Sequence, residues 1–300
     1  MPEPTDQRLR FLLPHAGVRG VAVHLVDAWA GLLQAASYPP RTRELLGQAV
    51  AATALLGGHV KLKGRLSLQL RGSGALRTLF AECTAAGTVR GIVQLEAGAD
   101  APADLTALGE DAVLAVTIEN PGLDPNQPQR YQSLVALQAP TLDELLEDYF
   151  RQSEQLPTRL LLAADGDRAA GLMLQQLPFD SRPGDGGDQD GWRRAGLLFD
   201  TLAETELLET APAVLLGRLF QEEGLSLLDA RPLRFGCSCS RERVEGMLQS
   251  LGREEALAAA ETGQAEVTCE FCGRRYLFSP AQIAGLFTGP LVGAAPEQLQ

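Results

Sequence analysis

Four cysteines confine what the end of this chain can fold into. Cys237-Ser-Cys239 is followed by 29 residues, positions 240–268, and then by Cys269-Glu-Phe-Cys272-Gly273. A turn bearing two closely spaced cysteines can aim both sulfurs at one point. Two such turns supply the four thiolates of a tetrahedral zinc site. Gly273 permits the left-handed backbone that such turns often need. The stretch from Arg241 to Ala260 reads as helical and can fold back to join the pairs. The three histidines, His15, His24 and His59, all lie far upstream. A closed four-sulfur set has no open position for substrate, so catalytic zinc is not expected. An iron–sulfur cluster also accepts four cysteines and stays open as a reading.

The chain has five cysteines, and four fall within 36 residues, positions 237–272. In a reducing compartment this crowding favours metal or redox chemistry over a disulfide scaffold. The first pair is C-x-C rather than the C-x-x-C common in zinc ribbons. Arg234, Arg241, Arg243, Arg274 and Arg275 flank the sulfurs, and positive charge favours thiolate and hence oxidation. Glu242, Glu245, Glu266 and Glu270 are interleaved with them, so a solvated face is the other reading of these charges. The module from Arg234 to about Phe287 is too short to bury a self-sufficient core. Structural zinc contributes roughly 10–16 kcal/mol in finger peptides, against a net stability of about 5–15 kcal/mol for a whole domain. Loss of zinc is therefore expected to unfold the module.

Upstream, the pattern is α+β: an N-terminal, mainly antiparallel sheet-and-helix core domain and a helical linker region precede the small C-terminal four-cysteine zinc domain. The expected division is 1–178 for the core, 179–233 for a linker with short amphipathic helices, and 234–300 for the redox-switch domain. Val21–Val26 reads as a strand, with a helix after Asp27 and a second from Arg41 to Leu56 that Gly57-Gly58 ends. Small residues in that second helix predict close packing against a sheet. Arg65-Leu-Ser-Leu-Gln-Leu-Arg71 alternates with period two, the mark of a half-buried strand. Leu76–Cys83 and Thr88–Leu95 form a hairpin pattern; Ala112–Ile118 and Tyr131–Leu137 are further strands. Thr141, with Glu144 three residues on, opens a helix as a capping box. Leu160–Ala163 and Leu172–Leu177 close the series, split by an Asp165-Gly166 turn. The Gly/Asp/Pro-rich run 178–194 marks a boundary, and Ala195 to about Leu228 reads as helical. Cys83, on the hairpin, reads as a small core residue.

Several function classes are excluded. A net charge of −12 lacks the basic face of a general nucleic-acid binder. No apolar run is long enough to span a membrane, and the N-terminus lacks a secretory pattern, so a cytoplasmic protein is expected. No nucleophile elbow, H-E-x-x-H helix or phosphate loop is present, and an enzyme is not expected.

The chain resembles the 33-kDa heat-shock protein family of redox-regulated holdase chaperones. The cysteine spacing carries the resemblance, with its neighbours Cys237-Ser-Cys-Ser-Arg-Glu-Arg243 and Cys269-Glu-Phe-Cys-Gly-Arg-Arg-Tyr-Leu-Phe278. So do Val18-Arg19-Gly20, Asp148-Tyr-Phe-Arg-Gln-Ser-Glu-Gln-Leu-Pro-Thr-Arg159 and Gly171-Leu-Met-Leu-Gln-Gln-Leu-Pro178. The resemblance implies one zinc per chain in the reduced, inactive form, held by Cys237, Cys239, Cys269 and Cys272. It implies Cys237–Cys239 and Cys269–Cys272 disulfides on oxidation, zinc release and loss of order in the linker. ATP-independent capture of unfolding clients under oxidative and heat stress follows, with a homodimer in the oxidised state. The Gly/Asp run of the linker is longer than this family leads one to expect. The reading from the cysteines alone also admits a constitutive zinc ribbon that binds a folded partner or nucleic acid.

Overall fold

A computed structural model describes residues 6–60, 62–122, 127–178, 190–261 and 263–287. The chain divides into two compact units, Met1–Gly236 and Cys237–Gln300. In the first, β1 (Gln7–Leu13) and β2 (Val18–Leu25) lead to α1 (Asp27–Leu33) and the long α2 (Pro40–His59). There follow β3 (Arg65–Arg71), β4 (Leu76–Thr84), β5 (Thr88–Leu95), β6 (Val113–Asn120) and β7 (Gln129–Ala136). After α3 (Leu142–Ser153) come β8 (Thr158–Ala164) and β9 (Ala169–Gln176). Three short helices, α4 (Gly191–Phe199), α5 (Glu204–Glu209) and α6 (Pro212–Phe220), precede β10 (Ser226–Pro232) and β11 (Arg234–Phe235).

Two sheets result, in the orders β10-β1-β2-β9-β8 and β11-β5-β4-β3-β6-β7. Every pairing is antiparallel except β11 with β5. The α+β reading with a largely antiparallel core therefore holds. Period-two alternation explains how one strand serves two cores. In β2, Val21, Val23 and Leu25 join the cluster around α2, while Val18 and Ala22 join a second cluster on the opposite face. That second cluster is closed by Ala195, Phe199, Leu208, Leu215 and Phe220 from the three short helices, with Phe220 stacked on Phe11 at 6.3 Å between centroids.

Helix α2 is buried along most of its length and packs on strands of both sheets. Its run of Ala, Gly and Leu suits that position, because small side chains let strands approach on every side. The helix does not stop at Leu56 as expected; it continues through Gly57-Gly58 to His59. The glycines sit inside it because Arg8 of β1 lies across them. A Cβ on Gly58 would stand 2.6 Å from Arg8 Cδ.

The described part of the expected linker, 190–233, packs on the first unit; residues 179–189 of the Gly/Asp-rich run lie outside the described residues. The helical reading of 195–228 holds to Phe220 and, as a 3₁₀ turn, through Gln221–Glu223. Gly224, at φ +72°, turns the chain into the left-handed region, and residues 226–232 become β10, the edge strand paired with β1. Thr141 accepts from Glu144 N as expected. Among the described residues, no helix is long and apolar enough to cross a membrane.

The second unit holds α7 (Arg241–Leu251), α8 (Arg253–Ala258), the hairpin β12 (Ala265–Thr268) with β13 (Arg275–Phe278), and α9 (Pro280–Leu286). Ser279 and Gln282 form a reciprocal capping box at the start of α9. Its core is small: Val244, Leu248, Ala256, Ala260, Ala265, Tyr276, Phe278 and Ile283 are the buried members.

Candidate metal centre

Each cysteine pair is placed by local backbone chemistry. Cys269 leaves β12, and the chain returns into β13 through a tight turn. Cys269 N donates to Arg274 O at 2.9 Å, and Gly273 N donates to Cys269 O at 2.8 Å. Gly273 takes φ +68°, the left-handed conformation expected of it. Cys237 and Cys239 lie just before α7, whose N-cap is Ser240. Cys239 N donates to Cys237 Sγ at 3.4 Å, and Arg243 donates to Ser238 Oγ at 2.8 Å. The turn is thus pinned from the first turn of the helix that follows it.

These two turns bring all four sulfurs within 4.8 Å of one another, each half-buried and none bonded to another. Two contacts run between the pairs: Cys239 to Cys272 at 3.4 Å and Cys237 to Cys269 at 3.6 Å. Zinc–sulfur bonds of about 2.3 Å in a tetrahedron give sulfur–sulfur edges of about 3.8 Å. The donor set therefore fits a tetrahedral thiolate-loving ion in size and chemistry, and the four cysteines can hold a metal ion.

The thiols are not equivalent. Burial pushes Cys239 up, but the Tyr276 hydroxyl, which donates to its sulfur at 3.2 Å, and the neighbouring thiols outweigh this and bring it down to about 7. Burial pushes Cys272 up to about 12, with the neighbouring sulfurs adding to the rise. Cys237 is also raised, chiefly by burial. A bound dication would supply the positive charge that lets all four lose their protons.

Tyr276 carries a role that the sequence reading missed. It is buried in the small core with its hydroxyl turned to Cys239, an outer-sphere partner for a ligand sulfur. The available signal was a tyrosine on the strand leaving the second cysteine turn. The flanking arginines separate into kinds. Arg241 pairs with Glu245 at 3.1 Å and lies 4.2 Å over the Phe278 ring, and Arg275 pairs with Glu266 at 3.1 Å. Arg243 is held by Ser238, and Arg234 belongs to the first unit. Arg274 interacts electrostatically with Cys239 and Cys272. Cys83 is fully buried between β3 and β5, apart from this cluster, and burial raises its thiol to about 11.

Comparison with known proteins extends the picture beyond the four sulfurs. The model of the Hsp33 protein family matches residues 6–279. The 33 kDa chaperonin of Ectopseudomonas mendocina (strain ymp) is 45% identical over 289 residues, covering 95% of this chain and 96% of that protein. The 33 kDa chaperonin of Pseudomonas putida (strain GB-1) is 42% identical over 296 residues, covering 98% and 97%. The crystal structure of the 33 kDa chaperonin from Thermotoga maritima shares the fold, with a TM-score of 0.75 at 23% identity over 94% of this chain and 97% of that one.

Proposed function

This chain belongs to the Hsp33 protein family, a family of chaperones, and from that premise we propose that it is a redox-regulated, ATP-independent holdase. The observation that carries the proposal is the convergence of four free sulfurs on a unit whose own core is eight residues. Cys237, Cys239, Cys269 and Cys272 hold one zinc in the reduced form. In that state the second unit is folded and the chaperone is inactive.

Oxidation removes the ligands. Each disulfide forms when two thiolates give up two electrons to one hydrogen peroxide, which with two protons becomes two waters. Two peroxides thus convert four thiolates to the Cys237–Cys239 and Cys269–Cys272 disulfides and release the zinc. Hypochlorous acid performs the same two-electron step, leaving chloride and water. None of the four sulfurs is bonded to another, so closing a bond within each pair requires both turns to rearrange. With zinc contributing roughly 10–16 kcal/mol in comparable sites, the second unit does not survive its loss.

The segment 179–233 then loses order, which uncovers the apolar faces of α4–α6 and the surface they cover. Unfolding client proteins bind there, and the oxidised form assembles as a homodimer. The three-part division 1–178, 179–233 and 234–300 is thus a functional one: core, reorganising segment and switch. We assign the protein to the cytoplasm, where the glutathione pool keeps the thiols reduced, with no role in catalysis, nucleic-acid binding or membranes.

The test follows zinc and client together. Reduced, zinc-loaded protein is exposed to peroxide at mild heat-shock temperature while a chromogenic chelator reports zinc and light scattering reports client aggregation. The expected result is about one zinc lost per chain, four thiols consumed, and protection that appears only after oxidation. Zinc loss without any gain in protection overturns the proposal and leaves a constitutive zinc ribbon.

A further inference from the structure

Outside the thiol cluster, the α2-facing side of the first sheet carries a concentration of arginines at the β10 end. Register places Arg8 opposite Arg231, Arg10 opposite Asp229, and Arg19 opposite Gln175. Side chains opposite one another share a face. Four guanidinium groups, Arg8, Arg10, Arg19 and Arg231, are matched by two carboxylates, Asp229 and Glu154, in a chain whose net charge is −12. The carboxyl end of α2 lies beside them and offsets about half a charge more. The excess remains positive.

The charges are also incompletely satisfied. Arg8 is buried, and its Nε has no hydrogen-bond partner. Asp229 Oδ1 is buried and likewise makes no hydrogen bond. Arg10 reaches it only at 3.6 Å, too long for a hydrogen bond. Arg19 donates to Gln175 through Nε at 3.0 Å and through one terminal nitrogen, so its other terminal nitrogen is uncommitted. Burial, with arginine neighbours adding to it, lowers both Arg8 and Arg19 from the ordinary guanidinium range.

A cavity of about 140 Å³ opens beside Arg10 and Arg19. Leu12, Met173 and Leu228 supply apolar wall, and His59 stands at its edge. We propose that this cavity binds a small organic oxyanion. One carboxylate or phosphate head is held by Arg10 and Arg19, and a compact apolar body lies against Leu12, Met173 and Leu228. Such a ligand supplies the acceptors that Arg10 and Arg19, the two arginines lining the cavity, lack, and fills the wall that an inorganic ion would leave wet. Leu228 and Asp229 belong to β10, so the ligand also fastens β10 to β1. Resting on the holdase reading, this makes the ligand a brake on activation; the binding itself does not depend on that reading.

The experiment uses full-length, reduced, zinc-loaded protein. Melting temperature and calorimetric binding are measured with benzoate, phenyl phosphate, inorganic phosphate and benzyl alcohol at constant ionic strength. Saturable binding and a raised melting temperature are expected for benzoate or phenyl phosphate, and their rank identifies the head group. Benzyl alcohol, which lacks the charge, should have no effect. Arg10→Gln should weaken binding at least tenfold, and so should Leu228→Asp, which tests the opposite wall should the first variant melt early. Absence of saturable binding, equal binding by wild type and both variants, or equal binding of inorganic phosphate and benzoate overturns the assignment. Because oxidant and client are absent, failure here leaves the redox proposal standing, and failure of the redox proposal leaves this site standing.

Discussion

Helix α2 in the first unit is covered on nearly every side by two sheets, whereas the second unit gathers eight buried side chains around four sulfurs. At about 25 cal/mol per Å² of apolar surface, the first arrangement stabilises itself through burial alone. The second cannot, because so short a segment leaves most of its surface in water. The difference teaches where a switch can be built. A fold held by burial responds to an oxidant only if its core is breached. A fold held by a metal responds as soon as one ligand changes chemistry.

The comparison breaks first, and by the largest amount, at a ligand. Cys269→Ser removes one thiolate and should forfeit most of the roughly 10–16 kcal/mol that structural zinc contributes. Hydrogen exchange should then show the β12–β13 amides unprotected while those of α2 and β9 keep wild-type protection. Retained protection in the hairpin would mean that the small core is sufficient by itself.

Thiol chemistry should separate the units next. In zinc-stripped, reduced protein the second unit is unfolded and Cys239 returns to the ordinary 9.0, whereas burial in the intact first unit holds Cys83 at about 11. At pH 8 the thiolate fractions differ by about a hundredfold, and the complete burial of Cys83 widens the gap. Mass spectrometry after brief iodoacetamide treatment should find Cys239 labelled and Cys83 untouched. The Cys83 shift also has a stability sign. Its folded value lies above the ordinary 9.0, so its contribution is complete below pH 9 and is lost as pH rises through about 11. The first unit should therefore weaken on the alkaline side, and Cys83→Ala should flatten that limb.

How far the sequence discloses this architecture differs between the units as well. Four sulfurs can converge in few ways, so the cysteine cluster is legible from spacing and a single glycine. The strands are legible where one face is buried, as in Arg65–Arg71, whose bounds match the alternation. What escapes reading depends on partners distant in sequence. Gly57-Gly58 reads as a helix end because nothing local reveals Arg8 lying across it. β10 reads as helical because its conformation is set by pairing with β1 rather than by its own period. Tyr276 reads only as a neighbour of the second pair, since a hydroxyl's direction is fixed by the hairpin and not by the residue.

The Gly58 position supplies a test in which sign matters more than size. Replacing a helical glycine by alanine ordinarily gains about 1 kcal/mol. Here the new Cβ would meet Arg8 Cδ at 2.6 Å and Val21 at 3.0 Å. Arg8 is buried, so its stem has little room to retreat. Gly58→Ala should therefore destabilise the first unit by about 1–3 kcal/mol, read as a lower urea midpoint at unchanged slope, with zinc content unaltered. A stabilised variant would return the glycines to the role of a helix end.

The smallest effect is expected at Tyr276→Phe, and it probes how the four-thiol unit is tuned. The ring stays, so the small core keeps its volume; what is lost is the hydroxyl that donates to Cys239 Sγ at 3.2 Å. A net hydrogen bond contributes about 1 kcal/mol, which is about fivefold in an equilibrium constant. Two shifts should follow together. Acid should release zinc from the variant at a higher pH than from the wild type, because that hydroxyl favours the Cys239 thiolate over burial's opposing push. Zinc should leave about fivefold more readily in competition with a chelator, because a thiolate without its donor is a less well-oriented ligand. The first unit should melt unchanged. If zinc retention falls while the pH midpoint of zinc release stays put, Tyr276 acts only as packing, and the tuning of the thiols must come from Arg274 and the neighbouring sulfurs.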